Sequence, residues 1–255
     1  MLGKSRVIKE VRSLRNETVS KPEASRHPNG AGHAFTLVER KAVYRAIFER
    51  RDVRRNFLPT AISDEVMIRL LTAAHHAGSV GFMQPWDFVV IRDHATKGAV
   101  KELFLQANAE AAARYRGARA ALYRGLKLEG IEEAPINIAV TCSRRRGGPH
   151  VLGRSTVRDT DLYSTCCAIQ NLWLAARAEG IGVGWVSILD HGELKRVLGV
   201  PKPVTMLAYL CLGYVSDFAT QPDLERAGWR KRIPVDNLIH YESWGNRRGR
   251  HEGRP

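Results

Sequence analysis

Between Asp159 and Glu179 runs a stretch with the length of a helix but no polar face. Leu162, Ile169, Leu172, Trp173, Leu174, Ala175 and Ala176 fall on nearly every side of it, and Gly180 ends it. A helix that is apolar all round is expected to be completely buried. In a chain of 255 residues, a subunit interface is a natural place to bury it. The rest of the chain must therefore wrap this element.

Helical and strand-like segments surround it in an irregular order. Leu37, Val43, Ile47 and Phe48 mark the apolar stripe of a first helix, with order beginning near Phe35. Ser63, followed by Asp64 and Glu65, reads as an N-cap with an acidic first turn, opening a second helix that runs to about Ala77. Phe88 to Ile91, Ile136 to Thr141, Gly182 to Ile188 and Val204 to Val215 read as strands. Residues 95–130 read as helical and polar, with an apolar face weak enough for a mobile cover rather than a core element. A short helix ends at Gly199, and an extension containing Pro and Trp runs to about Gly245. Without βαβ alternation or internal repeats, the class is α+β.

A net charge of +14 suggests nucleic acid until it is located. Residues 1–33 hold seven Lys/Arg against three Asp/Glu, and residues 247–255 hold four Arg against one Glu. Half of the excess thus lies in two tails, 1–34 and 246–255, whose composition predicts disorder. The body between, 35–245, is modestly basic, which suits anionic ligands without requiring DNA or RNA. No apolar run approaches the ~20 residues of a membrane span, and the N-terminus lacks the apolar core of a signal peptide. Cys142, Cys166, Cys167 and Cys211 form no C-x-x-C pair and read as reduced packing residues, so the expected address is the cytoplasm.

Arg50-Arg51-Asp52-Val53-Arg54 places a carboxylate among three guanidiniums. The arginines can grip a phosphate, whereas Asp52 repels one. Either Asp52 neutralises a neighbour, or it has a chemical task beside a bound phosphoester. Gly180-Ile-Gly-Val-Gly184 has a helix before it and a strand after it, the reverse of a dinucleotide fingerprint. His75-His76 could suggest a metal, but adjacent residues point to different faces and no third ligand supports them. Arg144-Arg145-Arg146 could touch RNA phosphates, a ligand phosphate or only solvent, and no aromatic platform accompanies it. The loop from Ser79 to Trp86 crowds Phe82, Met83 and Trp86 around Gly81, Gln84 and Pro85. So much aromatic and sulfur surface in a loop faces a flat ligand or a partner, unless the loop is a buried connector. Ser187, in Gly184-Trp-Val-Ser-Ile188, would by itself be a satisfied core serine.

Taken together, these pieces resemble the flavin-dependent nitroreductase superfamily. The resemblance rests on R-R-x-x-R in an early helix, a loop ending Q-P-W, a buried central helix, a late strand, and Arg230 and Arg232 ahead of Pro234, and it spans residues 36–245. It implies an FMN fold with a central mixed or antiparallel sheet flanked by helices, in an interlocked homodimer with FMN at the interface. Arg50, Arg51, Arg54, Arg230 and Arg232 would hold the phosphate. Val53, Ser79, Gly81, Phe82, Met83, Gln84, Trp86 and Asn108 would line the flavin, under a lid formed by residues 107–130.

Two departures narrow the resemblance. Ordinary members usually carry serine where Asp52 stands and asparagine where Phe82 stands. Together with Leu122 to Ile131 and Gly184-Trp-Val-Ser-Ile188, these residues look like the branch that consumes its own reduced FMN with O2, forming the benzimidazole ligand of vitamin B12 and a four-carbon sugar phosphate. Gly78 stands where that branch would have proline. The resemblance makes Asp52 the group that accepts a proton or orients a ribityl hydroxyl, kept ionised by its arginine neighbours. It makes Ser187 a hydrogen-bonding partner near flavin N5 or the ribityl chain. No nicotinamide site is recognisable, so a separate reductase would supply reduced FMN. One rival is an NAD(P)H-dependent nitroreductase or flavin dehalogenase, which would oxidise NADPH steadily with a nitroaromatic. Another is a basic nucleic-acid-binding module, which would show salt-sensitive retardation without flavin.

Overall fold

A computed structural model describes residues 34–247. Apart from Ala34, Asn246 and Arg247, the two basic tails lie outside the described residues. The chain forms two compact units, one ending at Thr220 and one beginning at Gln221.

The first unit is built on a four-stranded sheet, β1 (Trp86–Ile91), β2 (Ile136–Ser143), β3 (Ile181–Val186) and β4 (Val204–Tyr214). The strand order is β1-β2-β4-β3 and every neighbouring pair is antiparallel. A single parallel bridge, Asp52 to Val183, is added at the free edge of β3. β2 and β4 lie inside and are buried on both faces, as alternation requires of strands covered from both sides.

On one face, Ile136, Ile138, Val140, Leu210 and Val183 meet two helices. These are α2 (Asp64–His75), through Met67, Leu70 and Ala74, and α5 (Thr160–Ala178), through Ala168, Ile169, Leu172 and Ala176. Arg69 forks onto Glu179 at 2.9 and 3.0 Å, tying α2 to the end of α5. On the other face, Ala139, Tyr209 and Val186 meet α3 (His94–Ala112) and α6 (His191–Val197). α4 (Gly117–Arg124) follows α3. The Ser63 cap is as the sequence reads, with Ser63 Oγ accepting the Val66 N–H, and the structure adds Asp93 and Asp190 as caps of α3 and α6.

Three expectations need correction. Within one chain α5 is not fully buried: Tyr163, Cys166, Cys167 and Gln170 form an exposed stripe pointing away from the sheet. Cys166 and Cys167 therefore do not pack, whereas Cys142 and Cys211 do. The segment 95–130 is not uniformly a cover, because Val100, Phe104 and the stem of Lys97 are buried in the second core. Lys97 Nζ donates to the carbonyl of Ala134 at 2.9 Å, and burial lowers its pKa. A fourth feature is unexpected. α1 (Leu37–Glu49), closed by a Thr36–Glu39 capping box, packs on α5 yet buries none of its residues, leaving Val38, Val43, Tyr44, Ile47 and Phe48 exposed.

The second unit holds a short helix α7 (Asp223–Arg226) and a 3-10 turn, Val235–Leu238.

Candidate active site

After α1 the chain leaves the helix in extended conformation at Arg50 and runs along the free edge of β3. The Val53 N–H donates to the Val183 carbonyl at 2.9 Å, and the Trp185 N–H donates to Asp52 Oδ1 at 3.0 Å. Arg54 Nη2 donates to the other carboxylate oxygen. The glycine run in β3 has its purpose here. A Cβ on Gly184 would stand 2.0 Å from the Val53 carbonyl oxygen, and one on Gly182 would press on Val53 and Val215. Only a chain without side chains at these positions lets Asp52 and Val53 lie this close.

The three arginines differ in what they can still do. Arg51 spends its guanidinium on the carbonyls of Phe48, Arg50 and Thr220, at 2.6–2.8 Å, so in this arrangement it shapes the turn. Arg50 stacks over the Trp173 ring at 4.9 Å. Arg54 is 9% exposed, and its Nε is buried with no partner, as is Nε of Arg51. Buried donors of this kind call for an acceptor. A phosphate oxygen fits that demand, and an anion here would also face the Asp52 carboxylate. Of the two readings of Asp52, the structure shows the first directly, since it pairs with Arg54, and it leaves room for the second.

Beyond Val186 the strand stops, and Ser187 is exposed rather than the satisfied core serine that its apolar neighbours suggest.

The loop before β1 forms a second patch. Ser79 Oγ accepts the Gln84 N–H at 3.1 Å, and Gln84 Nε2 donates to the Phe82 carbonyl at 3.2 Å. The Val80 N–H donates to Ser164 Oγ on α5 at 3.2 Å. Gly81, Phe82 and Gln84 all have positive φ, of 58°, 52° and 45°. Of the three bulky side chains, Met83 and Trp86 are buried and only Phe82 is presented, 82% exposed. Two thirds of that bulk is therefore a buried connector, and one third faces outward. The Trp86 indole donates to His75 Nδ1 at 3.2 Å, which gives His75 a packing role.

Asn108 Oδ1 accepts the Tyr123 hydroxyl at 2.7 Å, joining α3 to α4, and Tyr115 stacks on Tyr123. Below α4, Glu129 is almost fully buried and accepts from Lys101 (2.7 Å), Lys127 (2.8 Å) and the Ile131 N–H (2.8 Å). Burial raises its pKa, but these donors outweigh that and leave it below the ordinary value. Gly130 lies against Phe57 and the Arg54 carbonyl, so this anchored segment backs the arginine corner.

The two patches are not brought together within one chain. Asp52, Arg54 and Ser187 are at the β3 edge, and Ser79 to Trp86 lead into β1 at the other edge. Three strand spacings of ~4.8 Å separate those edges, about 14 Å. Arg230 and Arg232 are exposed residues of the second unit, where the Arg232 N–H donates to Glu225 at 3.4 Å. Sequence reasoning missed Glu129 as an anchor and Gly184 as the seat of Asp52. The signal for Gly184 was present, a glycine in a buried strand, whereas Glu129 has only Lys127 beside it in sequence and meets Lys101 through the fold.

A sequence model of the Nitroreductase family matches residues 47–214, and the chain belongs to that family. It is 45% identical over 190 residues to 5,6-dimethylbenzimidazole synthase of Rhodospirillum rubrum, an alignment covering 74% of this chain and 90% of that protein. A protein of the same description from Rhodobacter capsulatus is 38% identical, over 79% of this chain and 97% of its own. Among solved structures, a BluB-like flavoprotein from Clostridium difficile aligns with a TM-score of 0.60 at 21% identity, over 82% of this chain and all of that one. Iodotyrosine deiodinase bound to FMN and 3-iodo-L-tyrosine aligns with a TM-score of 0.62 at 20% identity, over 79% and 100%. These two structures share the fold.

Proposed function

We propose that this chain catalyses the 5,6-dimethylbenzimidazole synthase reaction, taking reduced FMN as its substrate and fragmenting it with O2. The observation that carries the reading is the seating of Asp52. Its carboxylate is held by a backbone N–H of β3 and by Arg54, beside buried guanidinium nitrogens that still need an acceptor. The similarity to two synthases at 45% and 38% identity supports it.

Reduced FMN supplies both the electrons for O2 and the carbon skeleton of the product. Arg54 holds the phosphate, joined by Arg50, while Arg51 fixes the turn that carries them. The backbones of Val53 and Gly81 and the side chains of Phe82 and Gln84 face the flavin, with Ser79, Met83 and Trp86 supporting them from within the loop. Asp52 accepts a proton from, or orients, a ribityl hydroxyl, because a carboxylate held at both oxygens keeps a fixed direction. Ser187 offers its exposed hydroxyl to flavin N5 or the ribityl chain. Residues 107–130, joined through Asn108 and Tyr123, act as the lid that excludes water. The separation of the two patches and the exposed apolar face of α1 support a homodimer in which each FMN meets the β3 edge of one protomer and the Ser79–Trp86 loop of its partner. The reduced substrate comes from a separate flavin reductase.

Mixing the protein with reduced FMN in air is expected to yield dimethylbenzimidazole. Recovery of intact oxidised FMN alone rejects the reading. Asp52→Asn and Ser187→Gly are expected to abolish product with the fold retained, and undiminished turnover in both removes their assigned roles.

A further inference from the structure

Arg146 is the last of three consecutive arginines for which the sequence offered only solvent, RNA or a ligand phosphate. Its neighbour Arg144 is committed to Asp159 and Asp161. Arg146 is committed more fully, and to one target. Nη1 donates to the carbonyls of Gln84 (3.0 Å) and Trp86 (2.7 Å), and Nη2 donates to both carboxylate oxygens of Asp87 (2.8 Å each). The Ser143 N–H adds a bond to the Pro85 carbonyl at 2.7 Å. Every residue from Gln84 to Asp87 is thereby held from the end of β2.

The segment being held is one that would not keep its shape unaided. Phe82 and Gln84 are two of only four non-glycine residues with positive φ among the described residues, and they flank a buried Met83. Left-handed backbone at side-chain-bearing residues persists only when the surroundings over-determine it. The chain following Arg146 completes the enclosure, because a Cβ on Gly81 would stand 2.5 Å from Val151 and 2.8 Å from the Leu152 carbonyl oxygen. What the strained shape achieves is visible in Phe82, an aromatic ring turned outward.

We infer that Arg146 is a positioning residue, which holds the Ser79–Trp86 loop in the strained form that presents Phe82 and Gln84 to the flavin. The inference rests on the FMN reading above and adds to it. Lysine cannot substitute, because one ammonium cannot span two carbonyls and a carboxylate in a plane as a guanidinium does.

The test titrates FMN into the wild type, Arg146→Gln, Arg146→Lys, Asp87→Asn, Phe82→Ala and the Arg146→Gln/Phe82→Ala double variant. Flavin absorbance and thermal melting are recorded for each. Arg146→Gln is expected to weaken FMN binding at least tenfold and to move the bound-flavin band toward that of free FMN. Arg146→Lys is expected to recover little of this, and Asp87→Asn to show a smaller loss in the same direction. In the Phe82→Ala background the further loss from Arg146→Gln is expected to fall below twofold, since the ring being presented is gone. Losses that multiply in the double variant, or a lowered melting temperature with wild-type affinity and spectrum, overturn the inference. If Arg146→Gln does not fold, the Asp87→Asn affinity and spectrum decide alone. Wild-type protein that takes up no FMN overturns the functional reading together with this one, whereas wild-type uptake matched by Arg146→Gln overturns this one only.

Discussion

Gly180 lies just before β3 and Gly182 and Gly184 lie within it, two residues apart in turn, yet an added methyl group meets a different obstacle at each. At Gly180 a Cβ finds nothing within 4 Å, but φ is +75°, so alanine incurs backbone strain of roughly 1–2 kcal/mol. At Gly182 it meets Val215 Cγ1 at 2.7 Å and Val53 Cγ2 at 2.9 Å, methyl tips that can rotate away, at a cost of about 1–3 kcal/mol. At Gly184 it lies 2.0 Å from a carbonyl oxygen and 3.1 Å from its carbon, both backbone. Carbon and oxygen rest at about 3.3–3.6 Å, so the Val53 peptide must retreat by roughly 1 Å or more. That retreat breaks the Val53–Val183 bond and the Trp185–Asp52 bond, about 1 kcal/mol for the neutral one and 1.5–3 for the charged one, on top of the overpacking. Gly184→Ala is therefore expected to lose about 4 kcal/mol, or to keep its fold by releasing the 50–54 segment and with it FMN affinity. Urea unfolding followed through Trp173 and Trp185 fluorescence, with FMN titration of each folded variant, measures both. A Gly184→Ala protein as stable as Gly182→Ala and with wild-type affinity would refute the claim that close approach at this residue seats Asp52.

Three further outcomes follow from the same geometry. Glu129→Gln removes the carboxylate shared by two half-buried lysines, of which Lys127 keeps Glu133, a loss of about 1.5–3 kcal/mol at neutral pH. Because the folded pKa of Glu129 lies below its ordinary value of 4.5, its contribution is complete above that value and lost as pH falls through the folded one. The stability gap between wild type and Glu129→Gln should hence narrow on acidification, as read by denaturant midpoints at several pH values, and a constant gap contradicts the assignment. Arg54→Gln removes a charged donor from the phosphate and is expected to weaken FMN binding by about 10–150-fold, corresponding to 1.5–3 kcal/mol, measured by flavin titration. Phe48→Asp puts a charge on the exposed apolar face of α1, and light scattering is expected to show monomers where the wild type shows dimers.

The sequence carried the elements well because their signals are local. Ser63 as a cap, the turn at Gly199 and the strand from Val204 depend on neighbours within a few residues, and each appears within a residue or two of its expected place. What was not legible depended on contacts across the fold. Arg51 and Arg54 look equivalent in R-R-D-V-R, and only the fold shows that the terminal nitrogens of Arg51 are taken by the carbonyls of Phe48, Arg50 and Thr220 whereas Arg54 pairs with Asp52. Met83 and Trp86 carry the same apolar signal as Phe82, and burial alone separates them. The exposed stripe of α5 was hidden by composition, since cysteine and tyrosine count as apolar wherever they point.

The strand order has a consequence for regulation by concentration. Each chain folds around its own core and carries both halves of the proposed site, but at opposite rims of the sheet. In the proposed dimer, folding and competence would be separate equilibria: dilution would silence the protein while its sheet and helices stay intact. On that proposal, damage at one rim would leave the other serviceable, so a chain lacking Asp52 would still lend its loop to an intact neighbour. Two chains broken at different rims would together assemble one working site.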